Sequence, residues 1–331
     1  MLRLLQTIAR ATVAELCLGG ALLGAASVGG WLNGWLDVVA ALAPAWLAIS
    51  LLGGALAWPV LEPGARRPAL VAAAIGVALS AAVVVPELLG ALPSPPARHP
   101  GPPLKVLTFN VWDDNRHSAD TADAILSSGA DVVALQEFFG LTGDKLRALH
   151  AAYPYVAGCP AGCDLIMMSK RPWLVGGEHT ALAEPHDLAI WGETTAPDGA
   201  PVWVLTTHYL WPLPPQGQAR QRAVLAQVVR GLDKADLVVA GDFNLAPWTA
   251  ALRRQDAAFA PLTRRTHAVF TWPATIARLD RPAPAPILPI DQLYAGPDWS
   301  TVSVRRLPRA GSDHYGIVVT LVRPTRAPAH P

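Results

Sequence analysis

The stretch DLVVAGDFN, Asp236 to Asn244, reads as a buried strand whose apolar run ends on an acid and an amide. The pattern recurs along the chain. LKVLTFN ends on Asn110, DVVALQE on Glu137 and PVWVLTTH on His208. ILPID reaches Asp291 within another strand, and GSDH places Asp313 and His314 just before the apolar run IVVTLV. Helical patterns lie between these runs. SADTADAILSSG has Ser118 as its expected cap and Gly129 as its stop, and TGDKLRALHAAY follows the second strand. QGQARQRAVLAQVVRGL is expected to bury a face carrying Ala223, Val224, Gln227, Val228 and Leu232. Strands alternating with helices predict an α/β or α+β domain. Singly, each polar strand end has an ordinary explanation: a turn former, a solvated carboxylate, a hydrogen-bonded histidine. If the strands are neighbours in a sheet, these side chains converge at one rim.

The chain has 331 residues, of which 52% are hydrophobic and only 15% charged. A soluble domain averages about 25% charged. The first 97 residues hold four of the 26 basic residues (Arg3, Arg10, Arg66, Arg67) and four of the 25 acidic ones (Glu15, Asp37, Glu62, Glu87). The remainder keeps 22 basic and 21 acidic residues, a nearly neutral soluble composition. A protein that tracks along nucleic acid usually has a strong basic excess, because its affinity comes from neutralised phosphates.

Three apolar runs fill the front of the chain, at 13–32, 38–58 and 69–92. Each is near the ~20 residues that cross a bilayer, and each is rich in small residues that suit close packing in lipid. Pro44 and Pro86 are expected to kink two of them, and Glu15 and Glu87 to reach the interface near span ends. Arg3 and Arg10 precede the first run, and Arg66 and Arg67 lie between the second and third. The positive-inside rule puts those loops in the cytoplasm and everything after the third run outside. Low Lys and high Ala, Arg and Pro usage fits a G- and C-rich bacterial genome. The expected location is therefore the inner membrane, multi-pass, with a periplasmic domain. The expected organisation is a membrane segment at 1–92, a Pro-rich linker at 93–103, a soluble α/β domain at 104–323 and a disordered tail at 324–331. Cys159 and Cys163 are close enough to bridge if that domain is outside.

TFNVW, LQE, TTH, GDFN, PIDQL and GSDH, in this order, resemble the endonuclease/exonuclease/phosphatase superfamily, which includes deoxyribonucleases, abasic-site endonucleases, inositol polyphosphate phosphatases and neutral sphingomyelinases. The resemblance covers Leu104 to Val322. It implies a four-layer α/β sandwich, two packed mixed sheets flanked by helices, here preceded by three transmembrane helices. It also implies a Mg2+ site (Mn2+ as the alternative) formed by Asn110, Glu137 and Asp313, with Glu137 as ligand and Asn110 and Asp313 beside the ion or in its shell. Asp242 is expected to hold and deprotonate the attacking water, with Asn244 orienting it. His314 is expected to bind the phosphate, with its other ring N–H on Asp291. His208 is expected to be a phosphate ligand or general acid. One position departs from the abasic-site enzymes: Trp112 stands where they carry a metal-binding Asp.

The implied activity is hydrolysis of a phosphodiester by a membrane-anchored, metal-dependent enzyme. Near-neutral charge and the bilayer as partner favour a lipid-linked or small phosphodiester. The alternatives are an extracytoplasmic nuclease and a catalytically inactive protein of the same fold. No protein partner is expected.

Overall fold

The computed structural model of the chain describes residues 1–92, 100–141, 143–158, 163–183 and 186–324. Most of the expected linker, nearly all of the expected tail, and Cys159 lie outside the described residues. The chain forms two compact units.

The first unit is Met1–Leu92 together with Pro212–Gln216 and Leu245–Arg254. It contains α1 (Leu2–Gly29), α2 (Gly34–Ala40), α3 (Ala43–Val60) and α4 (Pro63–Gly90). Of these, α1, α3 and α4 are long and apolar enough to cross a membrane. Small residues let them touch: a Cβ on Gly20 would lie 2.3 Å from Ser50 Oγ, and one on Gly76 would lie 2.8 Å from the backbone of Gly20. Three expectations are corrected. The second apolar run divides into α2 and α3. Pro44 falls in the first turn of α3 instead of kinking a span, at a place where its missing N–H has no helical partner to lose. Glu87 is buried instead of reaching an interface.

Among the described residues, the second unit holds fourteen strands. In chain order they are β1 (Leu104–Asn110), β2 (Val132–Gln136), β3 (Tyr155–Gly158), β4 (Leu165–Ser169), β5 (Trp173–Ala183), β6 (His186–Thr195), β7 (Pro201–His208), β8 (Leu237–Asp242), β9 (Thr263–Arg264), β10 (Thr275–Ile276), β11 (Arg281–Pro282), β12 (Asp291–Ala295), β13 (Ser300–Arg306) and β14 (Ile317–Val322). Two mixed six-stranded sheets form, ordered β13-β14-β1-β2-β4-β3 and β5-β6-β7-β8-β12-β9; β10 and β11 pair apart from them. The chain's helices here are α5 (Ser118–Ser127), α6 (Gly143–Ala152), α7 (Pro215–Arg230) and α8 (Ala250–Phe259), the last beginning within the first unit.

Period-two alternation builds the layers. Leu104 and Val106 of β1, Val132 and Ala134 of β2, and Ile317, Val319 and Leu321 of β14 join one core with Val202 and Val204 of β7, Val238 and Ala240 of β8, and Leu293 and Ala295 of β12. That core lies between the sheets. The alternate residues of the first sheet, Leu107, Phe109, Val133 and Leu135, join a second core with Ile125 of α5 and Leu149 of α6.

Two helix details differ from the sequence reading. His117, not Ser118, stands at the N-cap of α5. The buried face of α7 is Gln218, Gln221, Leu225 and Val229, not the Val224–Val228 face. Its glutamines are buried because they serve loop backbone: Gln218 Nε2 donates to Leu210 O at 2.6 Å, and Gln221 Oε1 accepts from Leu210 N at 2.8 Å.

Arg323, 1% exposed, closes one edge of the domain. It donates to both carboxylate oxygens of Asp198 (2.7 and 2.9 Å), to Asp236 (2.6 Å) and to Pro201 O (2.9 Å). Its guanidinium lies 4.6 Å from the Trp299 ring centroid. Arg323→Met leaves two carboxylates without their cation and should cost about 3–5 kcal/mol. The expected readout is a fall of roughly 10 °C in melting temperature. An unchanged melting temperature would refute this role.

Candidate active site

The alternation that builds the core also aims the polar strand ends. Continuing each inward-facing series in steps of two reaches Asn110 on β1 and His208 on β7, through Thr108 and Thr206, and Gln136 on β2 and Asp242 on β8 directly. Asp291 is the first residue of β12 and belongs to the same face as Leu293 and Ala295. The ladders place them level. Asn110 pairs with Gln136, His208 with Asp242 in a parallel pair, and Asp291 with Asp242 in an antiparallel pair. A polar rim therefore forms where the ends of the two sheets meet.

Gly241 allows the close pairing just before Asp242. A Cβ there would lie 2.0 Å from Thr207 O. Three rim segments also carry non-glycine residues at positive φ: Trp112 at 62°, Glu137 at 52° and Asn244 at 47°. Such conformations cost on the order of 1 kcal/mol or more each and cluster at functional sites.

Asp242 is the hub. It is fully buried, and its Oδ2 lies 3.2 Å from Asn110 Nδ2, 3.6 Å from His314 Nε2 and 3.8 Å from His208 Nε2. Its Oδ1 accepts the backbone N–H of Asn244 at 2.8 Å. Asn244 Nδ2 donates to Tyr209 O at 2.8 Å, so its side chain is held toward that strand end. Asn110 Nδ2 also donates to Glu137 Oε1 at 2.8 Å, and Asp113 N donates to Glu137 Oε2 at 3.3 Å. His314 Nδ1 lies 2.9 Å from Asp291 Oδ2; its neighbour Asp313 instead accepts the indole N–H of Trp272 at 3.2 Å. The structure thus brings Asn110, Glu137, His208, Asp242, Asn244, Asp291, Asp313 and His314 together.

Several contributors were not singled out in the sequence. Asp164 Oδ2 lies 2.5 Å from His208 Nδ1, leaving Nε2 facing Asp242 and Glu137. Ser312 Oγ donates to Asn110 O at 2.7 Å and accepts the N–H of His314 at 2.9 Å, tying the last loop to the end of β1. Trp272 holds Asp313, and Gln218 Nε2 donates to Asn244 O at 3.2 Å. The one signal for Asp164 was its place at the head of the strand DLIMMS.

Burial alone would lower both imidazoles, but the carboxylates around them win. Asp291 and Asp242 raise His314 to about 10, and Asp164, Asp242 and Glu137 raise His208 to about 9. Both rings are therefore cationic at neutral pH. Burial raises Asp242, with Asp291 adding to it, while His314, His208 and the Asn244 N–H oppose. Burial also raises Asp113 and Asp313, and Glu137 adds like-charge repulsion to each.

Asp113, Glu137, Asp164, Asp242, Asp291 and Asp313 outnumber the two imidazoles, so the rim carries surplus negative charge. Oxygen donors with uncompensated charge fit a hard divalent cation. Among the described residues, Asp242, Asp291 and His314 bring possible ligand atoms within 4.8 Å of one another. Their geometry suits a buried acid–imidazolium relay better, because the His314 Nδ1 direction is already taken by Asp291. Glu137 is the better ligand: it is partly exposed and fixed by Asn110 and Asp113.

A two-sheet sandwich with such a rim has the architecture of a phosphoesterase. Residues 107–314 match the Endonuclease/Exonuclease/phosphatase family, and the chain belongs to it. Solved structures share the fold. An endonuclease/exonuclease/phosphatase from Beutenbergia cavernae is 22% identical, with 67% of this chain and 72% of that one covered and a TM-score of 0.53. TDP2 from D. rerio, complexed with single strand DNA product, is 20% identical, with 67% and 99% covered and a TM-score of 0.53. A family protein from Bacteroides thetaiotaomicron is 15% identical, with 68% and 99% covered and a TM-score of 0.52. At these identities the likeness is one of fold. No curated protein matches the sequence.

Asp164→Asn removes the nearest charge that keeps His208 protonated. In the metal-free protein, His208 should then titrate well below its value of about 9, followed by NMR of the ring protons. An unmoved titration would show that Asp164 does not set the state of that ring.

Proposed function

We propose that this protein is a membrane-anchored phosphodiesterase whose substrate is a lipid-linked phosphodiester. One observation carries the catalytic reading: a buried carboxylate, Asp242, faces two cationic imidazoles at 3.6 and 3.8 Å. That arrangement suits a monoanionic phosphodiester approached by water. Asp242 Oδ2 takes a proton from the water as its oxygen bonds to phosphorus. The Nε2–H groups of His314 and His208 face the phosphate oxygens. The P–O bond to the leaving group breaks, and His208 Nε2 supplies the proton that the leaving oxygen needs. Asp291 and Asp164 hold the two rings by Nδ1. Asn244 and Asn110 orient the water and phosphate. Glu137, with Asn110 and Asp313 beside it, would hold Mg2+ or Mn2+. When bound, that cation neutralises phosphate charge and supports the leaving oxygen.

The lipid reading is supported by the aromatic residues at the rim. Phe139, two residues after Glu137, is 53% exposed, and Trp211, three after His208, is 63% exposed. Trp211 packs edge-on against Trp272, whose N–H holds Asp313. Trp112, two after Asn110, is half-buried. Exposed aromatics beside a phosphate site suit an apolar substrate group. They also suit nucleobases, and the D. rerio TDP2 structure holds a single strand DNA product. The three apolar helices and the absence of a basic excess favour the lipid.

Extracytoplasmic placement is supported from within the first unit. Arg10 pairs with Glu62 at 2.6 Å, marking one end of the helices. Leu245–Arg254 attaches near the other, at Trp31, Asp37, Ala41 and Val83. Cys163 is disulfide-bonded, which fits an oxidising compartment.

The full chain, purified with Mg2+, should hydrolyse bis(p-nitrophenyl) phosphate and phospholipid vesicles. Asp242→Asn and His314→Ala should each lower kcat by roughly 10^3-fold without loss of folding. Full activity in either variant would sink the catalytic assignment. Cleavage of plasmid DNA but not of phospholipid would replace the lipid reading with a nuclease.

A further inference from the structure

Asp37 is an acid in an apolar segment, yet it is 6% exposed. Its two carboxylate oxygens accept the backbone N–H groups of Ala250 and Ala251, each at 2.7 Å. These are the first two amides of α8, groups that the helix itself leaves unpaired. Asp37 thus caps α8 from 213 residues away in sequence. Thr249, the residue before the helix, directs its hydroxyl to Ala246 O at 2.7 Å and accepts Leu252 N at 3.3 Å, so it reaches a different amide.

The cap is one of several attachments inside the first unit. Trp248 Nε1 donates to Ala41 O at 2.8 Å. Arg253 donates to Val83 O at 2.5 Å, and Arg254 to Trp31 O at 2.7 Å, with its guanidinium 4.9 Å from the Trp31 ring centroid. Helices α2 and α4, Ala41 just after α2 and the turn after α1 therefore hold five of the seven residues 248 to 254. The gripped stretch begins four residues after Asn244, and Leu245 to Ala250 are all buried. Asn244 is itself at positive φ and donates its N–H to Asp242.

We propose that Asp37 is a positioning residue for the active site. By clamping the start of α8 it fixes the buried segment that follows Asp242 and Asn244 in the chain. The proposal rests on the reading of Asp242 and Asn244 as catalytic. Two N–H groups require two acceptor oxygens. Asp37→Asn leaves one and sets an NH2 group against the other amide.

The test uses the full chain in detergent or lipid discs, with two measurements. In Asp37→Asn, amide exchange in a peptide covering 248–259 should rise at least tenfold, while a peptide covering β12 is unchanged. On bis(p-nitrophenyl) phosphate, kcat should fall at least tenfold with KM within twofold and the melting temperature little moved. Arg253→Met breaks the clamp from its other side and should shift both readouts in the same direction; it carries the test if Asp37→Asn does not fold. Unchanged exchange in a folded variant overturns the clamp. Faster exchange with unchanged kcat overturns its role in positioning. A wild-type chain inert on every phosphodiester overturns the catalytic reading and with it the positioning role, and the exchange measurement still decides the clamp.

Discussion

The pair between His314 Nδ1 and Asp291 Oδ2, at 2.9 Å, joins the two halves of the sandwich. His314 precedes β14 of one sheet, and Asp291 begins β12 of the other. Between this pair and the Arg323 cluster the sheets are held chiefly by apolar packing, which is non-directional and tolerates small shifts. At the rim the contact changes in kind. Asn110 reaches Asp242 across the sheets, and Gln136 Nε2 donates to Thr206 Oγ1 at 2.9 Å. Such buried groups cost several kcal/mol if left unpaired. They therefore specify one register of sheet against sheet, whereas the core would accept several. The same register sets the distances around Asp242.

The rim concentrates unfavourable conformations as well as charge. Trp112, Glu137 and Asn244 each hold a positive φ on a side-chain-bearing residue, and each directly follows or lies within two residues of a strand end. A strand that continued straight would carry its next side chain to the opposite face. The left-handed step turns the chain at once and lets Glu137, next to inward-facing Gln136, meet Asn110. The strain is sustained by the buried strands behind it.

Much of this was legible in the sequence because strands have a period of two. An apolar series that stops on a polar residue in phase with it announces an inward-facing polar end, as at Asn110, His208 and Asp242. Glu137 is out of phase and became legible only beside the others. Asp164 was not legible, since a carboxylate before a strand is common and its partner lies 44 residues on. The buried face of α7 was misread for a related reason. Hydrophobic periodicity assumes that apolar residues go inside, whereas Gln218 and Gln221 are inside because loop amides and carbonyls need partners. Asp37 carried no local signal either: its partners are backbone groups, which every sequence has.

The charge balance of the rim would link the cation and the phosphodiester proposed for it. Two imidazoliums do not offset the surrounding carboxylates, and burial lowers the dielectric in which the surplus is felt. A phosphodiester adds a further negative charge to this place. Its entry is therefore costly unless positive charge accompanies it, and a divalent cation supplies that charge while relieving Glu137 and Asp313. On the proposed reading each ligand would lower the cost of the other by the same electrostatics, so a cation and a phosphodiester would bind with positive coupling. The imidazoles take part in that balance as well. Lowering the carboxylate charge around them lowers the pull that keeps them protonated, so with a cation held at Glu137 the His208 proton would be released more readily.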